Sequence, residues 1–263
     1  MLHSGLLTRS LKQTLAVLAI GLSMLSFNVC ATKVSVIDID FGLKDIIDMS
    51  TGTFQQHSDY ATLAPSQKHG DLMAITISNT SHHASVDKYK INNEEDLIAT
   101  INKATSPQNP SPTKILNISL ESKDGCSPAL QDTISLAKSN GAIIIIAAGN
   151  TPYPYLKGIA RCNDAVIVGA SDPTTNAVAD FSNYSINIDV FASEYGNSNT
   201  HKLGRGTSFS AAMIAGIAAE VTEANPNMDV DSFKQFLNSH SDKDKIMATT
   251  LELSTINYPN KHN

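Results

Sequence analysis

The sequence predicts an α/β domain built on a largely parallel sheet. Three observations carry this. Short apolar runs alternate with helix-like stretches along most of the chain, which is the pattern of strand–helix–strand units. The run at 142–148 (Ala-Ile-Ile-Ile-Ile-Ala-Ala) is apolar throughout, as a strand covered on both faces must be. The composition, 41% hydrophobic and 17% charged over 263 residues, is that of a chain able to bury a sizeable core.

The elements follow in order. Residues 34–37 (Val-Ser-Val-Ile) form the first strand candidate. His69-Gly70 precedes an apolar stretch at 72–77 with the character of a helix start. Residues 86–91 form a second strand. A helix over 94–103 opens on acids and sets Leu97, Ile98 and Ile101 on one face. The stretch 105–113 holds three prolines and reads as a surface loop. Residues 115–120 form a strand. A helix over 128–138 begins at Ser127-Pro128 and stops at Asn140-Gly141. Strands follow at 142–147, 166–169 and 188–191. A small-residue helix spans 208–223, and 233–237 closes the pattern. The tail from about residue 249 is polar and weakly patterned.

The N-terminus differs from the rest. No Asp or Glu occurs before Asp38, although the chain holds 25. Arg9 and Lys12 precede an almost wholly apolar run at 15–29, and small residues follow. That is the layout of a secretory signal, with cleavage expected after Ala31. Residues 32–263 then form the mature domain, secreted or periplasmic. The run is short for a membrane span, which needs about 20 residues. An uncleaved anchor helix and a lipid-modified Cys30 stay open as alternatives. The first strand starts almost at the cleavage point, so no folding segment is expected between them. After cleavage Cys126 and Cys162 remain, in a compartment that permits disulfides. Spacing does not say whether they pair. The net charge of −6, without a basic run, argues against a nucleic-acid surface.

In α/β sheets, chemistry gathers at the carboxyl ends of the strands. Four polar residues sit at element ends, Asp38 and Asn150 after strands and His69 and Ser208 at helix starts, in the order Asp38, His69, Asn150, Ser208. A serine hydroxyl needs a base to take its proton, imidazole is that base near neutral pH, and a carboxylate orients the imidazole. The attacked carbonyl oxygen needs fixed donors. Ser208 at a helix start brings backbone N–H groups, and Asn150 a side-chain N–H. Gly149 and Gly206 allow close approach to the backbone.

The segments Val36-Ile37-Asp38, His69-Gly70 with Ala74, Ala147-Ala148-Gly149-Asn150 and Gly206-Thr207-Ser208-Phe209-Ser210 with Ala215-Gly216 resemble, in order and spacing, the motifs of the subtilisin-like serine peptidases (subtilases). Asn117-Ile118-Ser119-Leu120, Val168-Gly169-Ala170 and Phe181-Ser182 fit the same family. The resemblance covers about residues 33–241. It implies a three-layer sandwich with a doubly wound sheet, and a secreted endopeptidase acting through an acyl-enzyme. In that reading Ser208 is the nucleophile, His69 the base and Asp38 its partner. Asn150 and the Ser208 backbone N–H form the oxyanion hole. Ser119, Leu120, Glu121 and Gly149 line the substrate site. Glu121 stands where the family has glycine in the specificity pocket, so it favours a basic side chain there, or else is a solvated loop acid.

The chain departs from the family at Ile39 and Asp40, at Asp71 and Leu72, at Glu121 and Ser122, and at Ala212. A catalytically impaired relative that binds a peptide or partner is therefore the alternative. A lipase-type α/β hydrolase fits less well, since Ser210 stands where G-x-S-x-G has its last glycine. The expected partner is a protein or peptide, and the expected state a monomer free of the membrane once the signal is removed. No cofactor or metal site is expected; the resemblance allows calcium without identifying a site. His82-His83 is not read as a metal pair, because adjacent residues point apart. Asn79, Asn117 and Asn183 lie in N-x-S patterns.

Overall fold

The structure is a computed structural model. It describes residues 31–39, 41, 68–120, 125–196, 204–242 and 244–246. The expected signal segment before Ala31, Glu121 and the polar tail lie outside the described residues.

β1 spans Thr32–Asp38, β2 Ala84–Lys90, β3 Ile115–Ile118, β4 Ile143–Ala147, β5 Val166–Asp172, β6 Ala177–Val178 and β7 Val190–Ser193. The helices are α1 (His69–Thr80), α2 (Glu94–Thr105), α3 (Pro128–Ser139), α4 (Thr207–Ala224) and α5 (Val230–Ser239). Among the described residues the strands form one sheet in the order β2-β1-β3-β4-β5, with β6 and β7 both pairing with β5. All pairings are parallel except β5–β6.

Strand order reverses at β1. The chain moves one way through α1 to β2, then crosses back past β1 through α2 to β3. Crossovers are right-handed, so helices of opposite travel lie on opposite faces. The packing agrees: α1 lies against α4, and α2 against α3. This is a three-layer, doubly wound sandwich. β4 is buried at every residue, as its unbroken isoleucines require.

The helix boundaries have identifiable causes. The Ser127 Oγ accepts from Leu130 N at 3.1 Å, and Pro128 begins α3. Asn93 caps α2 through Asp96 N at 2.8 Å. α1 begins at His69 itself, three residues earlier than the apolar run at 72–77. α4 meets α1 closely: a Cβ on Gly216 would lie 2.5 Å from Thr80 Cβ. Only glycine permits that approach.

Cys126 and Cys162 form a disulfide across 36 residues of sequence. It ties the start of α3 to the segment leading into β5. Closing a loop of this length constrains the unfolded chain by about 4 kcal/mol in the entropy model. The double variant Cys126→Ser/Cys162→Ser is expected to melt about 5–15 °C lower. An unchanged midpoint by calorimetry would show that the bridge contributes nothing to stability.

Candidate active site

The sheet register builds the site. Ile37 pairs with Ile118, and Ile118 with Ile146. The next residues, Asp38, Ser119 and Ala147, therefore form one row at the carboxyl edge. This row sits at β1 and β3, where strand order reverses and α/β sheets bind ligands.

Asp38 ends β1, and its side chain is 1% exposed. Its Oδ2 accepts from His69 Nδ1 at 2.7 Å, and its Oδ1 accepts from Ile39 N at 2.8 Å. The His69 side chain is 42% exposed. The contact at Nδ1 fixes the orientation of the ring relative to Asp38.

Asp71 departs from the family pattern in the same turn of α1, and the structure supplies its partner. Lys88 Nζ of β2 lies 2.9 Å from Asp71 Oδ1, and both side chains are buried. Asp71 also sits in the first turn of α1, where a carboxylate complements the helix dipole. The pair fastens the helix that carries His69 to the strand beside β1. Sequence reasoning registered Asp71 only as a departure, because its partner is 17 residues away on another element.

Ser208 lies in the first turn of α4, where the Phe209 and Ser210 N–H groups donate to the Gly206 carbonyl at 3.0 and 3.3 Å. Its carbonyl accepts from Ser119 Oγ at 3.4 Å, which joins the nucleophile candidate to the end of β3. Ser119 Oγ in turn accepts from Asn117 Nδ2 at 2.9 Å. Leu120 follows, partly buried against the core.

The N-cap residue of α4 is Gly206, which has no side chain to cap with. Asn150 caps from outside instead. Its Oδ1 accepts from Thr207 N at 2.9 Å and from Thr207 Oγ1 at 3.0 Å. Thr207 Oγ1 also accepts from Gly149 N at 3.2 Å. Gly149 has φ 101, a left-handed conformation that favours glycine, and it turns Asn150 toward α4. With Oδ1 occupied by Thr207, Nδ2 is the atom of Asn150 left to donate toward a substrate. Thr207 was not singled out in the sequence, although it stands inside the motif that identified Ser208.

Of the remaining sequence candidates, His82 and His83 lie near Glu220, at the far end of α1. Asn117 and Asn183 are fully buried, which removes their N-x-S patterns from the surface of the folded chain. Among the described residues no three or more His, Cys, Asp or Glu side chains are grouped to hold a metal ion. Among the same residues no helix is long and apolar enough to cross a membrane.

Comparison with known proteins gives a consistent family. Residues 31–255 match the Subtilase family. Alkaline elastase YaB of Bacillus sp. (strain YaB) is 32% identical over 118 residues, covering 43% of this chain and 31% of that protein. M-protease of Shouchella clausii (strain KSM-K16) is 34% identical over 119 residues, covering 43% and 30%. An extracellular protease of Xanthomonas campestris pv. campestris is 31% identical over 133 residues, covering 46% and 23%. The matched stretch thus spans less than a third of each relative's own length. Among solved structures, a protease of Pseudoalteromonas arctica superposes with TM-score 0.65 at 22% identity, covering 83% of this chain and 85% of that one. A cold adapted subtilisin-like serine proteinase gives 0.63 at 20% identity, covering 85% and 87%.

Proposed function

Because the chain belongs to the subtilase family, we propose that it is an exported serine endopeptidase that cleaves peptide bonds through an acyl-enzyme. Ser208 Oγ attacks the scissile carbonyl carbon, and its proton passes to His69 Nε2. Asp38 holds the ring and stabilises its charged form. The carbonyl oxygen, now an anion, accepts from Asn150 Nδ2 and from the Ser208 backbone N–H. The tetrahedral intermediate collapses, the C–N bond breaks, and His69 returns the proton to the leaving amine. Water then attacks the acyl-serine, gives its proton to His69, and the acid product leaves as Ser208 regains its proton.

The observation that carries the proposal is the 2.7 Å contact between His69 Nδ1 and Asp38 Oδ2 at the carboxyl edge. A carboxylate bound to Nδ1 selects the tautomer in which Nε2 accepts a proton. Export is supported by the N-terminal composition and by the disulfide, since such bonds persist in oxidising compartments. The similar proteases support a protein substrate. Ser119, Leu120, Gly149 and Glu121 are proposed to line its groove.

The test is labelling with a serine-directed fluorophosphonate. Labelling at Ser208 in folded protein, lost after denaturation, is expected. Unlabelled but well-folded protein would favour a binding protein without peptidase activity.

A further inference from the structure

We infer that Asn183 is a positioning residue that aims Asn150, acting through the backbone on both sides of it. The inference rests on the role proposed above for Asn150.

Residues 148–153 follow β4 outside any regular element, so their buried backbone groups must find partners elsewhere. A single side chain supplies two of them. Asn183, fully buried in the loop between β6 and β7, donates from Nδ2 to the Ala148 carbonyl at 2.6 Å. Its Oδ1 accepts from Tyr153 N at 3.1 Å and from Thr151 Oγ1 at 3.4 Å. Its backbone N donates to the Gly149 carbonyl at 3.0 Å. Residues 148 and 149 precede Asn150, and 151 and 153 follow it, so Asn183 grips both flanks.

Asn183 is itself anchored. Ser182 Oγ accepts from Ala170 N of β5 and donates to the Asn183 carbonyl, both at 2.9 Å. Tyr184 N adds a bond to the Tyr153 carbonyl at 3.0 Å. Asn150 is therefore held from two directions. Thr207 fixes its side-chain oxygen, and Asn183 fixes the chain that carries it.

The chemistry selects asparagine. A carbonyl on one side needs a donor, and an N–H on the other needs an acceptor. One planar amide offers both, in a single orientation. Aspartate has the shape but no donor when ionised. Alanine leaves both backbone groups without this partner.

The test is a double-mutant cycle on the mature protein with a peptide substrate. Asn150→Ala is expected to lower kcat about 10²–10³-fold, as loss of one oxyanion donor does. Asn183→Ala is expected to lower kcat about 10–100-fold, the scale of a small misplacement at a reacting centre, with KM changing less. If Asn183 acts through Asn150, adding Asn183→Ala to Asn150→Ala lowers kcat by less than about twofold. Multiplying losses, or an unchanged kcat in Asn183→Ala, would overturn the inference and leave the proposed function standing. An Asn150→Ala variant with wild-type kcat would instead overturn the role of Asn150 itself. If Asn183→Ala does not fold, Asn183→Asp carries the same cycle, since it keeps the acceptor for Tyr153 N.

Discussion

Replacing Ser208 with alanine is expected to lower turnover by about 10⁴–10⁶ while leaving the fold intact. The two halves of that expectation come from different physics. The chemical loss is large because, in the proposed mechanism, Ser208 Oγ is the atom that forms the acyl bond. In that mechanism His69 and Asp38 prepare the hydroxyl, so without it they have nothing to activate. The structural loss is small. Ser208 sits in the first turn of α4, and what ties it to β3 is its carbonyl, which alanine retains. Alanine is also the better helix former. The unfolding free energy should therefore move by less than about 1 kcal/mol. Fluorophosphonate labelling should vanish, and any residual hydrolysis should come from the oxyanion donors and binding alone. A Ser208→Ala/His69→Ala double variant should be no slower than the single one, because the residues act as a unit. Turnover within tenfold of the native protein would remove Ser208 from the mechanism.

Much of this site was legible because its parts lie beside strong local signals. Asp38 directly follows an apolar strand, Asn150 lies three residues past an unbroken isoleucine strand, and Ser208 opens a long run of small residues. Each signal is short-range, so the sequence displays it. The long-range partners were not legible. Asp71 reads as a misfit in the sequence because its partner Lys88 lies on another element. Asn183 is visible in the sequence only as part of an N-x-S pattern, because its four bonds to residues 148–153 reach back 30 residues or more. Boundaries drifted for similar reasons. The sequence pattern places the last parallel strand at 188–191, whereas it spans Val190–Ser193. Ile188 extends the apolar pattern, yet the Ile188 and Asp189 backbone N–H groups bond to the Ser185 and Ile167 carbonyls before the β5–β7 ladder begins. β6 is two residues long, too short to show any period. The pairing of Cys126 with Cys162 depends on where α3 and the segment before β5 meet, which is a property of the fold rather than of spacing.

The same contacts make Asp38→Asn the most informative single change. Asparagine fills the same buried space, so packing should survive. Its amide has one oxygen and one nitrogen where the carboxylate has two oxygens. Ile39 N–H points at one of these positions, 2.8 Å away, and demands an acceptor. The oxygen must therefore face Ile39, and the amide nitrogen must face His69 Nδ1 at the 2.7 Å position. A donor there forces Nδ1 to accept, which moves the ring proton to Nε2. That nitrogen can no longer take the proton of Ser208. The reverse orientation would set two donors against each other at Ile39 in a buried site, at a cost of about 1–3 kcal/mol. The ring also loses the negative charge that stabilises it when protonated. Turnover is expected to fall about 10⁴-fold, with KM nearly unchanged and the melting temperature within a few degrees. Histidine NMR of the variant should show the neutral ring protonated at Nε2, where the native protein carries the proton at Nδ1. Native-like turnover together with the native tautomer would show that Asp38 does not orient His69. A large loss with the native tautomer would assign the effect to charge alone.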